Sequence, residues 1–185
     1  MTQPPADQVQ VAQEILGVVS HLRAEEVEAL GEAILRARRI FVCGAGRSLL
    51  VLKAFAMRLM HLGLQSYVVG DVVTPAIEEG DLLLAGSNSG RTRTTLAIVE
   101  AASVRGAQTA ALTAHPESAL GRGADLRLEI PARLVGVSDQ AVSAQPPGSL
   151  FEQSLLVTCD GLVLWLMRRL GTSYEDMRAR HTKLE

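Results

Sequence analysis

Apolar and polar positions follow two rhythms along the chain. From 7 to 38, apolar residues recur at intervals of three and four, first in "DQVQVAQEILGVVSHL" and again in "AEEVEALGEAILRAR". That spacing puts them on one side of a helix, so two amphipathic helices are predicted. The rhythm then breaks. "RIFVCGAG" (39–46) is almost wholly apolar and ends in glycines, as expected of a strand covered on both faces that runs into a tight loop. "SLLVLKAFAMRLMHLG" (48–63) returns to helical spacing and stops at Gly63. "QSYVVG" (65–70) predicts a second strand, "TPAIEEG" (74–80) a short helical turn with proline near its start, and "DLLLAGS" (81–87) a third strand. "RTRTTLAIVEAASVRG" (91–106) predicts a helix, "AQTAALTA" (107–114) a fourth strand and "ESALGRGA" (117–124) a short helix or turn. In "DLRLEIP" (125–131), Leu126, Leu128 and Ile130 share one side of a fifth strand. An irregular Pro/Gly/Ser stretch covers 132–148. A long helix is predicted over 149–170 and a short one in "SYEDMRARH" (173–181).

Strands alternating with helices predict an α/β fold: a five-stranded parallel sheet flanked by helices on both faces, a three-layer, flavodoxin-like or Rossmann-like arrangement. The chain reads as a single domain over 1–185. Helices occupy 1–38, the α/β core 39–131, a loop 132–148 and further helices 149–185. With 185 residues it can bury a substantial core. Aromatic residues make up only 3%, so Leu, Val and Ala must fill that core. The formal net charge of −2 offers no basic face, which argues against a nucleic-acid partner and requires any anion to be held locally. Cys43 and Cys159 lie in apolar runs without metal-ligand spacing and read as buried free thiols. Lys53, Arg58 and Asp160 interrupt the longest apolar stretches, so no membrane span is expected. "MTQPPADQVQ" lacks the basic-then-apolar pattern of a leader, and a cytoplasmic location is expected.

In such sheets ligands bind beyond the carboxyl ends of the strands. Two loops stand there. "GAGRS" (44–48) follows the first strand and "GSNSGRT" (86–92) the third. The first is a poor dinucleotide fingerprint, because the third glycine position is Leu49 and no acidic residue ends the second strand. The second loop groups Ser87, Asn88, Ser89 and Thr92 around Gly90, ahead of a helix whose free N–H groups and dipole point at the loop. One helix cap needs one hydroxyl; this loop holds several, which suits a phosphate monoester. Arg47 and Arg91 can add charge-assisted bonds. The candidate phosphate cradle is Gly46, Arg47 and Ser48 with Ser87, Asn88, Ser89 and Thr92.

A carboxylate completes the picture. In "GSLFEQS" (148–154), Ser149 and Glu152 have the spacing of a capping box at the start of the last long helix. Spacing alone makes Glu152 a helix cap. A catalytic acid/base that sits where a cap would is the other reading.

The Ser-x-Ser-Gly-x-Thr pattern after one strand and the Gly-x-Gly-x-Ser loop after another resemble the sugar isomerase (SIS) domain family. "CGAGRSLLVLKAFAMRLMHLG", "TPAIEEGDLLLAGSNSG", "AALTAHPESALGRGAD", "PPGSLFEQSLL" and "RARHTKLE" together resemble its 6-phospho-3-hexuloisomerase branch. The resemblance implies a single SIS domain. It also implies conversion of D-arabino-3-hexulose 6-phosphate to fructose 6-phosphate through an enediol or enediolate. Glu152 would be the acid/base, helped by His61 and His181, which related isomerases often supply from a neighbouring subunit, with no metal and no cofactor. It further implies a homotetramer and a hexulose-6-phosphate synthase as pathway partner. His115 and His21 have weaker claims and read as a turn residue and a solvent or interface residue. Two positions depart from the family pattern: Asn88 replaces a glycine and Arg91 an acidic residue. Another sugar phosphate, or a sensor module that binds without catalysis, is the alternative reading of the same residues.

Overall fold

The computed structural model describes residues 5–132 and 143–183. β1 (Ile40–Gly44), β2 (Ser66–Val68), β3 (Leu82–Gly86), β4 (Gln108–Thr113) and β5 (Leu126–Glu129) form one parallel sheet in the order β2-β1-β3-β4-β5. Successive side chains of a strand point to opposite faces, and both faces here are covered. Ile40, Val42, Leu82, Leu84 and Leu112 enter one core, while Phe41, Cys43, Leu83, Ala85 and Ala111 enter the other. That is why β1 and β3 are apolar at every step. Seven helices complete the described residues: α1 (Ala6–Val19), α2 (Ala24–Arg36), α3 (Gly46–His61), α4 (Arg93–Val104), α5 (Ala119–Gly123), α6 (Ser149–Leu170) and α7 (Tyr174–Ala179). α2, α3 and α6 cover the first face with α1 packed on α6; α4 and α5 cover the second.

α6 organises the first layer. Phe151, Leu155, Cys159, Leu162 and Leu166 recur at helical spacing and are almost fully buried. Each large side chain of this stripe contributes about 1.5–3 kcal/mol by leaving water. The 22 residues of α6 are long and apolar enough to cross a bilayer by length and composition, but half of that stretch is buried inside the protein. Asp160 lies on the exposed side of the helix.

The segment 74–80 departs from the predicted helical turn: 74–78 has no regular structure. Pro75 disfavours the helical conformation at Thr74, and side chains from the foot of the sheet hold the segment open. Arg39 Nη2 donates to Ala76 O at 2.9 Å, and the Glu78 N–H donates to Asp81 Oδ2 at 2.9 Å. Asp81 is itself the centre of an ion cluster. Arg39 reaches it at 2.6 and 3.0 Å and Arg38 at 3.2 Å. These residues immediately precede β1 and β3, so the cluster ties the two central strands together at their amino ends.

Of the stretch 132–148, residues 133–142 lie outside the described part; 143–148 lead into α6. The capping box predicted there does not form. Gly148, at φ 88°, is the residue before α6, and Ser149 is already helical. A capping box does form at α7, where Ser173 and Asp176 exchange bonds.

Candidate active site

The sheet order makes β1 and β3 neighbours whose chains depart to opposite sides. After β1 the chain crosses through α3 to β2; after β3 it crosses through α4 to β4. A crevice opens where the two crossovers diverge. Gly44 and Gly86 face each other in register at its floor. Both sites are tight. A Cβ on Gly44 would stand 3.0 Å from Gly86 O, and one on Gly86 would stand 2.8 Å from Leu52 Cδ1. The small residues let both loops begin at the same level.

Above this floor, α3 and α4 both start without a side-chain cap. The N–H groups of their first turns therefore lack helical partners and face the crevice. The β3–α4 loop is shaped by its own bonds. The Gly90 N–H donates to Ser87 Oγ at 3.1 Å, Ser87 Oγ and Thr92 Oγ1 are 2.9 Å apart, and the Arg91 N–H donates to Ser89 Oγ at 3.3 Å. Asn88 O accepts from Thr113 Oγ1 at 3.0 Å and from the Ala114 N–H at 3.2 Å. Gly90 is required for two reasons. Its φ is 60°, and a Cβ would lie 1.8 Å from Ser118 Oγ. Thus Ser87 and Thr92, predicted to present hydroxyls, also brace the loop. The Asn88 amide and the Ser48 hydroxyl make no hydrogen bond among the described residues and stand ready for a ligand.

The result is a cavity of about 340 Å³ lined by Ala45, Ser48, Gly86, Ser87, Asn88, Ser89, Thr92, Pro147 and Gly148. Glu152 borders it. One turn into α6, its Oε1 lies 3.5 Å from the point where a Cβ would stand on Gly148, a wall residue. Its carboxylate is not a cap; it pairs with the Arg47 guanidinium. The Glu152 side chain is only 15% exposed and Arg47 is 60% exposed, so the carboxylate is the fixed partner and the guanidinium the movable one. Gly46 opens α3 at φ 54°, and Arg47 lines the neighbouring cleft rather than this cavity.

The structure therefore places Ser48, Ser87, Asn88, Ser89 and Thr92 of the predicted cradle around one cavity and Glu152 one wall residue away, while Gly46 is not among the lining residues and Arg47, paired with Glu152, lines the neighbouring cleft. It does not bring the histidines to them within one chain. α3 has 16 residues, so His61 at its far end lies about 22 Å along the helix from Gly46. There His61 is buried and stacks on His181, ring centroids 5.1 Å apart. Burial first, then the nearby His181 and Arg58, push His61 below the usual histidine range. A separate cavity of about 360 Å³ holds both rings with Tyr174 and Met167. His115 and His21 are exposed, as predicted, and Arg91 is exposed away from the cavity. Lys53 pairs with Asp71 at 3.0 Å on the surface. Both cysteines are buried free thiols, Cys43 pushed up to about 12 by desolvation.

Pro147 and Gly148 were not predicted as site residues. The signal available was "PPGS": a proline pair and a glycine immediately ahead of the predicted helix.

Comparison with known proteins identifies the family. The SIS domain family profile matches residues 33–134. A 3-hexulose-6-phosphate isomerase from Bacillus subtilis is 40% identical over 177 residues, covering 95% of this chain and 96% of that protein. One from Mycobacterium gastri is 41% identical over 175 residues, covering 95% and 88%. The crystal structure of a Methanococcus jannaschii protein, for which a 3-hexulose-6-phosphate isomerase function was inferred, superposes with a TM-score of 0.84 at 31% identity, covering 98% of this chain and all of that one. The chain belongs to the SIS domain family, among relatives that carry the 3-hexulose-6-phosphate isomerase name.

Proposed function

We propose that the protein is an isomerase interconverting D-arabino-3-hexulose 6-phosphate and fructose 6-phosphate. The observation that carries this reading is the place of Glu152: a mostly buried carboxylate one wall residue away from a cradle formed by two helix N-termini. The cradle suits a phosphate dianion, which the free N–H groups of α3 and α4 and the side chains of Ser48, Asn88 and Ser89 can surround. The near-full-length relatives supply the substrate class.

The reaction moves a carbonyl from C3 to C2. Glu152 takes the proton from C2, and the electron pair left behind forms the C2–C3 double bond of an enediolate. The O2 hydrogen moves to O3 as C2 becomes the ketone, and Glu152 returns its proton to C3. No atom is gained or lost, and one base serves both carbons. Arg47 sits where it can meet either the carboxylate or an incoming phosphate. A phosphate that draws the guanidinium away leaves Glu152 a lone pair for the substrate. His61 and His181 assist this chemistry when a second copy of the chain places its own pair beside the cavity. This requires an oligomer, which we take to be a homotetramer. A cytoplasmic location and a hexulose-6-phosphate synthase as the source of substrate complete the reading.

The test is to give purified protein D-arabino-3-hexulose 6-phosphate and follow fructose 6-phosphate. Turnover that disappears in Glu152→Gln supports the assignment. Binding of the sugar phosphate without turnover would make the protein a sensor or assign it another substrate.

A further inference from the structure

Three consecutive residues ahead of α6 turn their donors toward one carboxylate on the far side of a cleft. Ser143 Oγ, the Ala144 N–H at 3.2 Å and Gln145 Nε2 at 3.0 Å all donate to Glu14 of α1. The Gln145 N–H also donates to Ser143 Oγ at 3.1 Å, closing the group. A carboxylate has acceptor capacity for all three donors. The hydrogen bond from Ser143, then that from Gln145, hold Glu14 below the usual carboxylate range, so it is ionised at neutral pH and all its lone pairs remain acceptors.

The next two residues, 146 and 147, are prolines. They have no N–H to anchor them, and their rings fix φ. A Pro-Pro step is a short stiff rod whose placement is set by its ends. One end is the start of α6, where the Ser149 N–H donates to Pro146 O at 3.0 Å. The other end is Gln145, held by Glu14. Pro147 and Gly148, at the end of the rod, form a wall of the phosphate cavity. Between α1 and this segment lies a cleft of about 360 Å³, so polar bonds rather than close packing hold the two together. α1 in turn packs on α6, the helix that carries Glu152.

We propose that Glu14 is a positioning residue for the isomerase site: it fixes the 143–148 segment against α1 and thereby sets the distance between the Pro147–Gly148 wall and the β3–α4 loop. The inference rests on the reading of the cavity as a phosphate site. It assigns a task to a residue of the N-terminal helix that lies outside the sheet and bears no catalytic motif.

The experiment compares wild type with Glu14→Ala, Glu14→Gln and Ser143→Ala. In Glu14→Ala, KM for D-arabino-3-hexulose 6-phosphate and Kd for inorganic phosphate rise about tenfold, the loss of one or two charge-assisted bonds, while kcat stays within about threefold. Glu14→Gln keeps one acceptor oxygen and falls between the two. Hydrogen exchange at the Ala144 amide speeds up, and Tm holds. Adding Ser143→Ala to Glu14→Ala costs nothing further, because both act through one contact. Unchanged KM and phosphate affinity in Glu14→Ala overturn the proposal. So does a parallel loss of kcat, KM and Tm, which would make Glu14 a general stabilising residue. A wild type that binds phosphate but turns nothing over defeats the isomerase reading, while phosphate affinity and exchange still decide Glu14.

Discussion

Glu152 and Arg47 illustrate how much one side chain's environment decides. The pair joins residues 105 positions apart in the chain, one on α3 and one on α6. Replacing Glu152 by Gln keeps the shape and removes the proposed base. Turnover should fall about 10²–10⁴-fold, the usual worth of a general base, with little change in Tm; steady-state kinetics beside a melting curve checks both halves. Gly90 makes a different demand. Gly90→Ala should destabilise by about 2–4 kcal/mol, since the new methyl meets Ser118 at a backbone angle that favours glycine, and urea denaturation would read it. At this scale the sequence was informative about residue type and poor about partnership. The hydroxyl-rich loop was legible because a run such as "GSNSGRT" has few uses. That Ser87 and Thr92 bond each other was not, because the same hydroxyls serve a ligand or a turn equally well. The Ser149/Glu152 spacing suggested a capping box. It failed because Gly148, not Ser149, precedes the helix, so the hydroxyl falls one position too late.

Among the elements, α3 and α6 carry the most. Leu155→Ala in α6 should cost about 2–5 kcal/mol through lost burial and the cavity left behind, measurable as a lower denaturation midpoint. α3 spans the molecule from the crevice to the stacked histidines. Because His61 is held below the ordinary histidine range by burial, the folded protein resists its protonation. Below a pH of about 6.5 the unfolded chain takes up that proton and the folded chain does not, so stability declines as pH falls from there toward the folded value. Melting temperatures measured from pH 8 to 5 should show this slope, and His61→Asn should flatten it. The helices and strands themselves were readable from their periodicity nearly end to end. The exception, 74–80, has the proline of a helix start, yet Arg39 and Asp81 claim its polar groups from elsewhere in the chain. Local pattern carries no trace of such distant partners.

For the molecule as a whole, the alternation of strands and helices was enough to predict the parallel sheet, and the crevice opens at the carboxyl ends of its strands. The alternation could not reveal that the two proposed catalytic histidines share a corner remote from Glu152, because helix length sets that separation while motif order does not. At the foot of the sheet, Asp81→Ala would remove the buried carboxylate that Arg38 and Arg39 share and leave them only the exposed Glu78. The loss should be on the order of 2–3 kcal/mol, less than for a fully buried pair because Arg38 is half exposed. Activity per folded molecule should be unchanged, and comparing specific activity with denaturation midpoint would show it.

That cluster stands at one end of β1 and β3, and the loops of the proposed phosphate cradle stand at the other. Fastening and chemistry are thus separated along the strands. Exposed positions of the loops at the crevice, such as Ser89, lie away from that fastening and can change with little penalty to folding. Such a layout lets one scaffold be retuned from one phosphorylated sugar to the next, and directed evolution confined to the two rim loops is where new substrate preferences should emerge most readily.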